Sequence, residues 1–237
     1  MVMKNRKKIL IISLTLLASF TCAAETVTKG MKKVIDDALD FSVKQSMSMF
    51  YEMKDQKGIL PRTAENGKMI TCESAWWTSG FYPGTLWYCY EYSNDPQIRA
   101  AAEEMTSRVE KQKYTTSNHD VGFIINCSFG NGYRLTHNET YRKVIETAAK
   151  SLSTRFHPVT GCTRSWNSKK WQFSVIIDNM MNLELLNVAS SLTGDNTYYN
   201  MAKSHADRTM INHFRPDGSS YHVVSYDTIT GKVLNQV

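Results

Sequence analysis

The chain has 237 residues, of which 42% are hydrophobic and 11% aromatic. This composition excludes a disordered or fibrous protein and supplies apolar side chains for one sizeable core or two small ones. The formal net charge is +6, but residues 1–24 hold four basic and no acidic side chains. The remainder therefore has 24 basic and 22 acidic side chains, a net charge of +2 (24 − 22). So small an excess does not favour nucleic-acid binding.

The N-terminal segment has the pattern of a secretory signal peptide. A basic head, KNRKK at residues 4–8, precedes the apolar run ILIISLTLLASF, and the small residues CAA follow at 22–24. The run is shorter than the roughly 20 residues that a membrane-spanning helix needs. We therefore predict a signal peptide over residues 1–24 and an exported, periplasmic protein. In the alternative, a lipoprotein, Cys22 carries a lipid and anchors the chain to a membrane, although SFT before it is a poor lipobox.

Four cysteines follow this segment: Cys72, Cys89, Cys127 and Cys162. They form no CxxC pair and no cluster with histidine at metal-ligand spacing, so the sequence predicts no metal centre. An exported chain could pair them in disulfides. We favour free thiols, because Cys89 and Cys127 lie inside apolar helical runs, where a cysteine is ordinarily a buried, unreactive side chain.

The chain contains an internal repeat, since LTHNETY (135–141) recurs as LTGDNTY (192–198). Each copy is followed by an amphipathic helical pattern and then by a turn, HPVTG or RPDG, and a looser third copy stands upstream at YSNDPQIRAAAEEM. Such internal similarity is typical of stacked supersecondary units.

Each unit pairs a more apolar helix (81–91, 121–130 or 178–191) with a more amphipathic one that follows it. An inner helix packed on all sides must be apolar all round, whereas an outer helix needs only a stripe. The sequence therefore predicts an all-α fold of helical hairpins, arranged as an open solenoid or a closed toroid, in a single domain over residues 25–237.

A lone carboxylate stands at the start of two of the apolar helices. Asp120 in SNHDVGF and Asp178 in VIIDNMM are separated by almost the same interval as the two copies of the repeat, and so occupy equivalent positions. In a closed ring both would face one central cavity, and two carboxylates facing one pocket is the arrangement that glycoside hydrolysis uses. The alternative is that each aspartate only caps its helix.

Tryptophans and histidines lie near these helix starts. Trp77 and Trp166 are in predicted loops, where each could stack on a sugar ring or belong to the core. His119 precedes the first aspartate, and His222 follows the RPDG turn. Patterns of serine hydrolases, zinc proteases, phosphate loops and EF-hands are absent, which leaves cofactor-free acid–base chemistry. The other four histidines are expected at the surface: His137, His157, His205 and His213.

The motifs WWTSGFYPG, SNHDVGF, IIDNMMNLELL and FRPDGSSYHVV together resemble the unsaturated glucuronyl hydrolases, glycoside hydrolase family 88, over about residues 30–237. The resemblance implies an (α/α)6 toroid of twelve helices. It also implies an enzyme without metal or cofactor that removes the unsaturated uronic acid left by polysaccharide lyases at a non-reducing end. The implied catalytic residues are Asp178 and Asp120, and the implied substrate-binding residues are His119, His222, Trp77 and Trp166.

The reaction implied by this resemblance is the hydration of a vinyl ether. A carboxylic acid protonates C4 of the C4=C5 bond, water adds at C5, and the resulting hemiketal opens and expels the partner sugar. The resemblance assigns the acid–base role to Asp178, with Asp120 assisting and holding sugar hydroxyls. Such chemistry asks for one protonated and one ionised carboxyl, and the sequence leaves open which aspartate holds the proton.

The chain departs from this family in length, because its pattern provides about six or seven helices. We therefore expect an incomplete ring, the N-terminal part of the catalytic domain. The expected substrate is a lyase-generated oligosaccharide derived from a glycosaminoglycan. Two alternatives stay open: an unsaturated rhamnogalacturonyl hydrolase acting on pectin fragments, and a truncated, non-catalytic sugar-binding fragment.

Overall fold

The computed structural model describes residues 28–237, so the predicted signal peptide and Cys22 lie outside the described part. A long helix precedes three helical hairpins. The helices are α1 (Lys29–Met53), α2 (Phe81–Ser93), α3 (Pro96–Ser107), α4 (Val121–Ile125), α5 (Asn131–Thr136), α6 (Glu139–Ser153), α7 (Asn179–Asn182), α8 (Glu184–Thr193) and α9 (Asn196–Asn212).

Two of the inner helices are composite. A π-helical stretch, Asn126–Gly130, joins α4 to α5, and Leu183 in helical conformation joins α7 to α8. If each composite helix is counted once, the described residues contain seven α-helices, in agreement with the six or seven that the sequence predicts. No helix within this range is both long and apolar enough to cross a membrane.

Each hairpin turns through the same kind of two-residue link. The inner helix ends on a residue in the left-handed conformation, and the next residue uses its side-chain oxygen to cap the outer helix. The three links are Asn94–Asp95, His137–Asn138 and Gly194–Asp195. The last two links occupy the same positions in the two copies of the repeat, which confirms the repeat in three dimensions.

Short antiparallel strands fill the connections between helices. The strands are β1 (Ile59–Glu65), β2 (Lys68–Glu73), β3 (Phe156–His157), β4 (Cys162–Thr163), β5 (Ser174–Ile176), β6 (Val223–Tyr226) and β7 (Val233–Gln236). β1 pairs with β2, β3 pairs with β4, and the other three form a sheet in the order β5–β6–β7. The all-α prediction missed these strands because most of them are too short to show an alternating pattern.

The main core lies between α4, α6 and α8. Every residue of α4 is buried, whereas α6 buries one stripe that includes Val144, Ile145 and Leu152. This contrast confirms the predicted division into inner helices and amphipathic outer helices.

Glycines let consecutive inner helices approach closely. A Cβ atom on Gly80 would lie 2.6 Å from the Cα atom of Ile124, and one on Gly122 would lie 2.6 Å from the Cα atom of Asn182. The two contacts are equivalent, so Thr78, two residues before Gly80, corresponds to Asp120, two residues before Gly122. The approach draws the starts of the inner helices together.

Replacement of Gly122 by alanine is expected to destabilise the fold by about 1–3 kcal/mol, because the added methyl group would overlap the backbone of α7 and force the helices apart. Urea unfolding monitored by circular dichroism measures the effect. The matched control is Gly30→Ala in α1, where a Cβ atom would have no neighbour within 4 Å and where alanine favours the helix. Equal stability of Gly122→Ala and wild type would contradict the close contact.

Candidate active site

Asp120 and Asp178 face one another at the starts of α4 and α7. With His119 they form a trio in which one side-chain nitrogen or oxygen atom from each residue lies within 4.8 Å of the other two. Nε2 of His119 lies 3.3 Å from Oδ1 of Asp120. Among residues 28–237 no other histidines, cysteines or acids converge in this way. The trio is therefore the one group of three such side chains in the described range that is close enough to hold a metal ion, whereas the sequence predicts no metal.

Neither of these aspartates caps its helix. Their backbones are nearly identical and helical, with φ −66° and ψ −11° at Asp120 and φ −68° and ψ −12° at Asp178, and neither side chain accepts a hydrogen bond from the helix. Asp95 and Asp195, by contrast, have extended backbones and do cap. The capping alternative is therefore wrong, and both carboxylates are available for chemistry.

Burial raises the pKa of both carboxyls. The pKa of Asp120 is raised to about 6, first by burial and then by the negative charge of Asp178, while the Arg155 guanidinium opposes the rise. Burial also raises the pKa of Asp178, and His222 and a backbone hydrogen bond act against it. The pair therefore retains a proton at a pH where an exposed aspartic acid, with a pKa of about 3.9, has lost it.

His119 lies behind Asp120 and not in the open cavity. Its side chain is 1% exposed. Burial lowers its pKa to about 4; Asn179 acts against this shift and Arg155 adds to it. The ring is therefore neutral at pH 7. This corrects the expectation that His119 binds substrate directly, because a side chain without exposed surface can act only through its neighbour, Asp120.

His222 is brought beside Asp178 by the β5–β6 pairing. Ile176 pairs with Val223, and the N–H of Ile177 donates to the carbonyl oxygen of His222 over 2.9 Å. The histidine side chain is exposed and close enough to influence the pKa of Asp178. The structure thus places this predicted residue, with an exposed side chain, close to Asp178.

The two predicted tryptophans lie at the same end of the hairpins. Trp77 packs in a T-shaped contact against Phe81 and in a tilted contact against Phe123, but keeps 44% of its surface exposed. Trp166 is half-buried and pairs through its backbone with Asn118, two residues before Asp120. Trp77 thus contacts α4 through Phe123, and Trp166 is held next to the segment that leads into Asp120.

Sequence analysis did not single out Arg155, which lies next to the trio. Its Nε donates to the carbonyl oxygen of Arg164 (2.8 Å) and its Nη1 to that of Thr116 (2.6 Å), while Nη2 is buried without a protein partner. Burial and the nearby Arg164 lower its pKa to about 10, and Asp120 acts against this shift. It is the cation that favours the ionised form of Asp120. The segment STRFHP carried no signal for this role.

Two buried asparagines of α7 also support the site. Asn182 accepts from the N–H of Phe123 and contacts the ring of His119. Asn179 donates to the carbonyl oxygen of Thr163 over 2.7 Å. Polar residues in the otherwise apolar run NMMNLELL were a signal that could have identified them, because buried amides need specific partners.

His205 and His213 correct the expectation that they lie at the surface, since both are fully buried. Nδ1 of His205 accepts from the N–H of Thr163 over 2.9 Å, and Nδ1 of His213 lies 3.1 Å from the carbonyl oxygen of Tyr221. His205 lies within α9 and His213 directly follows it, and both face inward against the connecting segments. An amphipathic pattern alone does not show which polar residues of a helix are buried against such partners.

The four cysteines of the described range are free thiols, in line with the favoured interpretation. Cys89 and Cys162 are buried, while Cys72 and Cys127 are half-buried. Burial raises the pKa of Cys127 to about 11 and that of Cys162 to about 12. Such thiols are poor nucleophiles at neutral pH and add no chemistry to the site.

The free energy of unfolding of the Asp120→Asn variant is expected to increase relative to that of wild type as the pH rises. The native state binds the Asp120 proton with a pKa of about 6 and the unfolded state with about 3.9. Wild type therefore loses up to about 3 kcal/mol of unfolding free energy between about pH 4 and pH 6, which asparagine does not lose. Urea unfolding of both proteins near pH 4 and pH 7 measures the difference.

The control for this experiment is Asp195→Asn. The capping hydrogen bonds to Thr197 lower the pKa of Asp195, so that its charge stabilises the native state above the unfolded pKa and the sign is reversed. An Asp120→Asn advantage that does not grow with pH would contradict the raised pKa.

Comparison with known proteins gives the following. No protein-family model matches the chain. The unsaturated glucuronyl hydrolase of Formosa agariphila is 48% identical over 160 residues, which are 66% of this chain and 40% of that protein. The unsaturated chondroitin disaccharide hydrolase of Streptococcus pyogenes serotype M1 is 33% identical over 210 residues, 86% of this chain and 52% of that protein.

Among solved structures, an unsaturated glucuronyl hydrolase specific for heparin is 43% identical, with a TM-score of 0.78 over 84% of this chain and 55% of that one. The chain spans about half the length of the proteins it matches. Its hairpins form part of the (α/α)6 toroid that these neighbours share. Sequence and fold agree that the chain belongs to the unsaturated glucuronyl hydrolases.

Proposed function

We propose that the protein removes the 4,5-unsaturated uronic acid from the non-reducing end of lyase-generated oligosaccharides derived from glycosaminoglycans. The observation that carries this proposal is the pair Asp120 and Asp178, two partly buried carboxyls that lie close together and cap no helix. The relatives named for chondroitin disaccharides and for heparin support glycosaminoglycan over pectin fragments.

In this proposal Asp178 is the acid. Its Oδ1 is buried without a protein partner, and burial costs a protonated carboxyl less than a carboxylate. Asp120 lies beside the Arg155 cation, which favours its ionised form. The charge of Asp178 raises the pKa of Asp120, but the two carboxyls titrate as one pair, and in this proposal their shared proton resides on Asp178.

The reaction then proceeds in balanced steps. The π electrons of the C4=C5 bond take the proton of Asp178 at C4, and the ring oxygen stabilises the positive charge left at C5. Water attacks C5 and gives up a proton to a carboxylate of the pair, which restores the starting charge state. The C5 hemiketal opens to a ketone, and the partner sugar leaves from C1 as its free hydroxyl compound.

The side chains at the mouth of the cavity are proposed to bind the substrate. His222 is exposed beside Asp178 and can hydrogen-bond the uronic acid near the reacting bond. The exposed surfaces of Trp77 and Trp166 can stack on the apolar faces of sugar rings. We further propose that the protein is exported, which rests on the signal-like residues 1–24, with lipid attachment at Cys22 as the alternative.

Asp178→Asn is expected to lower kcat at least about 100-fold, because it removes the transferable proton. The loss of C4=C5 absorbance on incubation with an unsaturated chondroitin disaccharide measures turnover. The matched control is Asp195→Asn, an exposed aspartate whose capping role asparagine fulfils equally well. Wild-type turnover by Asp178→Asn would contradict the proposed acid. If the disaccharide quenches the tryptophan fluorescence of the wild-type chain but is not turned over, the chain is instead a sugar-binding fragment.

Turnover is expected to be unchanged after incubation with EDTA, because the proposed steps use only carboxyl groups and water. The same absorbance assay, before and after dialysis against the chelator, makes the comparison. Activity that is lost with EDTA and restored by a divalent cation would place a metal ion in the trio of His119, Asp120 and Asp178 and overturn the proposed acid–base mechanism.

A further inference from the structure

Asn182 connects two hairpins through a single amide group. The residue is fully buried at the end of α7, and its side chain points at α4. One amide atom lies 2.7 Å from the backbone N of Phe123. Because a backbone N–H can only donate, that amide atom is the oxygen, and the orientation of the side chain is fixed.

The other amide atom, Nδ2, then faces His119. It lies 3.4 Å from Nδ1 of the imidazole. An amide NH2 can only donate, so this ring nitrogen must present its lone pair. An imidazole whose Nδ1 accepts a hydrogen bond carries its one proton on the opposite nitrogen, Nε2. That nitrogen is the atom 3.3 Å from Oδ1 of Asp120.

We propose that Asn182 is a positioning residue that selects the Nε2–H tautomer of His119 and so places one fixed N–H beside Oδ1 of Asp120. The chain of contacts runs from the N–H of Phe123 through the amide and the imidazole to the carboxylate. In the other tautomer a nitrogen lone pair would face the carboxylate oxygen, and the two would repel each other.

The contact between the helices makes this selection possible. A Cβ atom on Gly122 would lie 2.6 Å from Oδ1 of Asn182, so only glycine at this position lets the amide reach the N–H of Phe123. The carboxylate of one hairpin is therefore oriented by a residue of the next hairpin. The catalytic consequence, a fixed and ionised Asp120, rests on the proposed function, whereas the tautomer itself does not.

The test is the protonation state of His119 in the full chain labelled with 15N-histidine. Long-range proton–nitrogen NMR correlations distinguish Nε2–H, Nδ1–H and doubly protonated rings, and a His119→Gln variant assigns the signals. Wild type is expected to show the Nε2–H form at neutral pH. A wild-type ring with its proton on Nδ1 would overturn the proposal without any variant.

Asn182→Asp keeps the shape and the acceptor for Phe123 but presents a second acceptor to the imidazole. It is expected to move the His119 proton to Nδ1 or to add a second proton. The control Asn187→Asp adds the same charge at an exposed position of α8 and is expected to leave the Nε2–H form unchanged. An unchanged Nε2–H form in Asn182→Asp would also overturn the proposal.

A kinetic comparison separates this proposal from the proposed function. If the chain is active, Asn182→Asp is expected to lower kcat at least about tenfold with a smaller change in KM, because it disturbs the carboxylate and not the cavity mouth. The NMR measurement needs no substrate, so an inactive chain would leave the tautomer result standing. The Asp178→Asn result, in turn, does not depend on the tautomer.

Discussion

The candidate site depends on the close approach of α4 and α7. This approach requires a residue without a side chain at Gly122, against which the backbone of Asn182 packs. It brings equivalent positions of two hairpins near enough for Asp120 and Asp178 to share one environment. Two acids that would be ordinary surface residues on separate helices thereby become a coupled pair in a partly buried pocket.

Much of this arrangement was visible in the sequence, because the internal repeat identified Asp120 and Asp178 as equivalent before any coordinates. The division into inner and outer helices followed from the same repeat. The sequence did not identify the roles of residues that lack a periodic signal. Arg155 sits in a connection, and the role of His119 is decided by burial, which a single sequence does not give.

The short strands were the other feature that the sequence did not indicate. β5 has three residues, too few for a period of two to be distinguished from a buried turn. Yet this strand leads directly into Asp178, and its pairing with β6 brings His222 to the same place. Helices provide the framework here, while the irregular connections decide which side chains meet.

The first hairpin of the chain differs from the other two at the position that precedes its inner helix. Thr78 stands where the other two units carry an acid, and its hydroxyl is buried without a protein partner. Three like charges at such a spacing would repel one another more strongly than two. The repeated architecture therefore offers three equivalent positions, and the chain places acids at only two of them, which limits the repulsion within the partly buried pair.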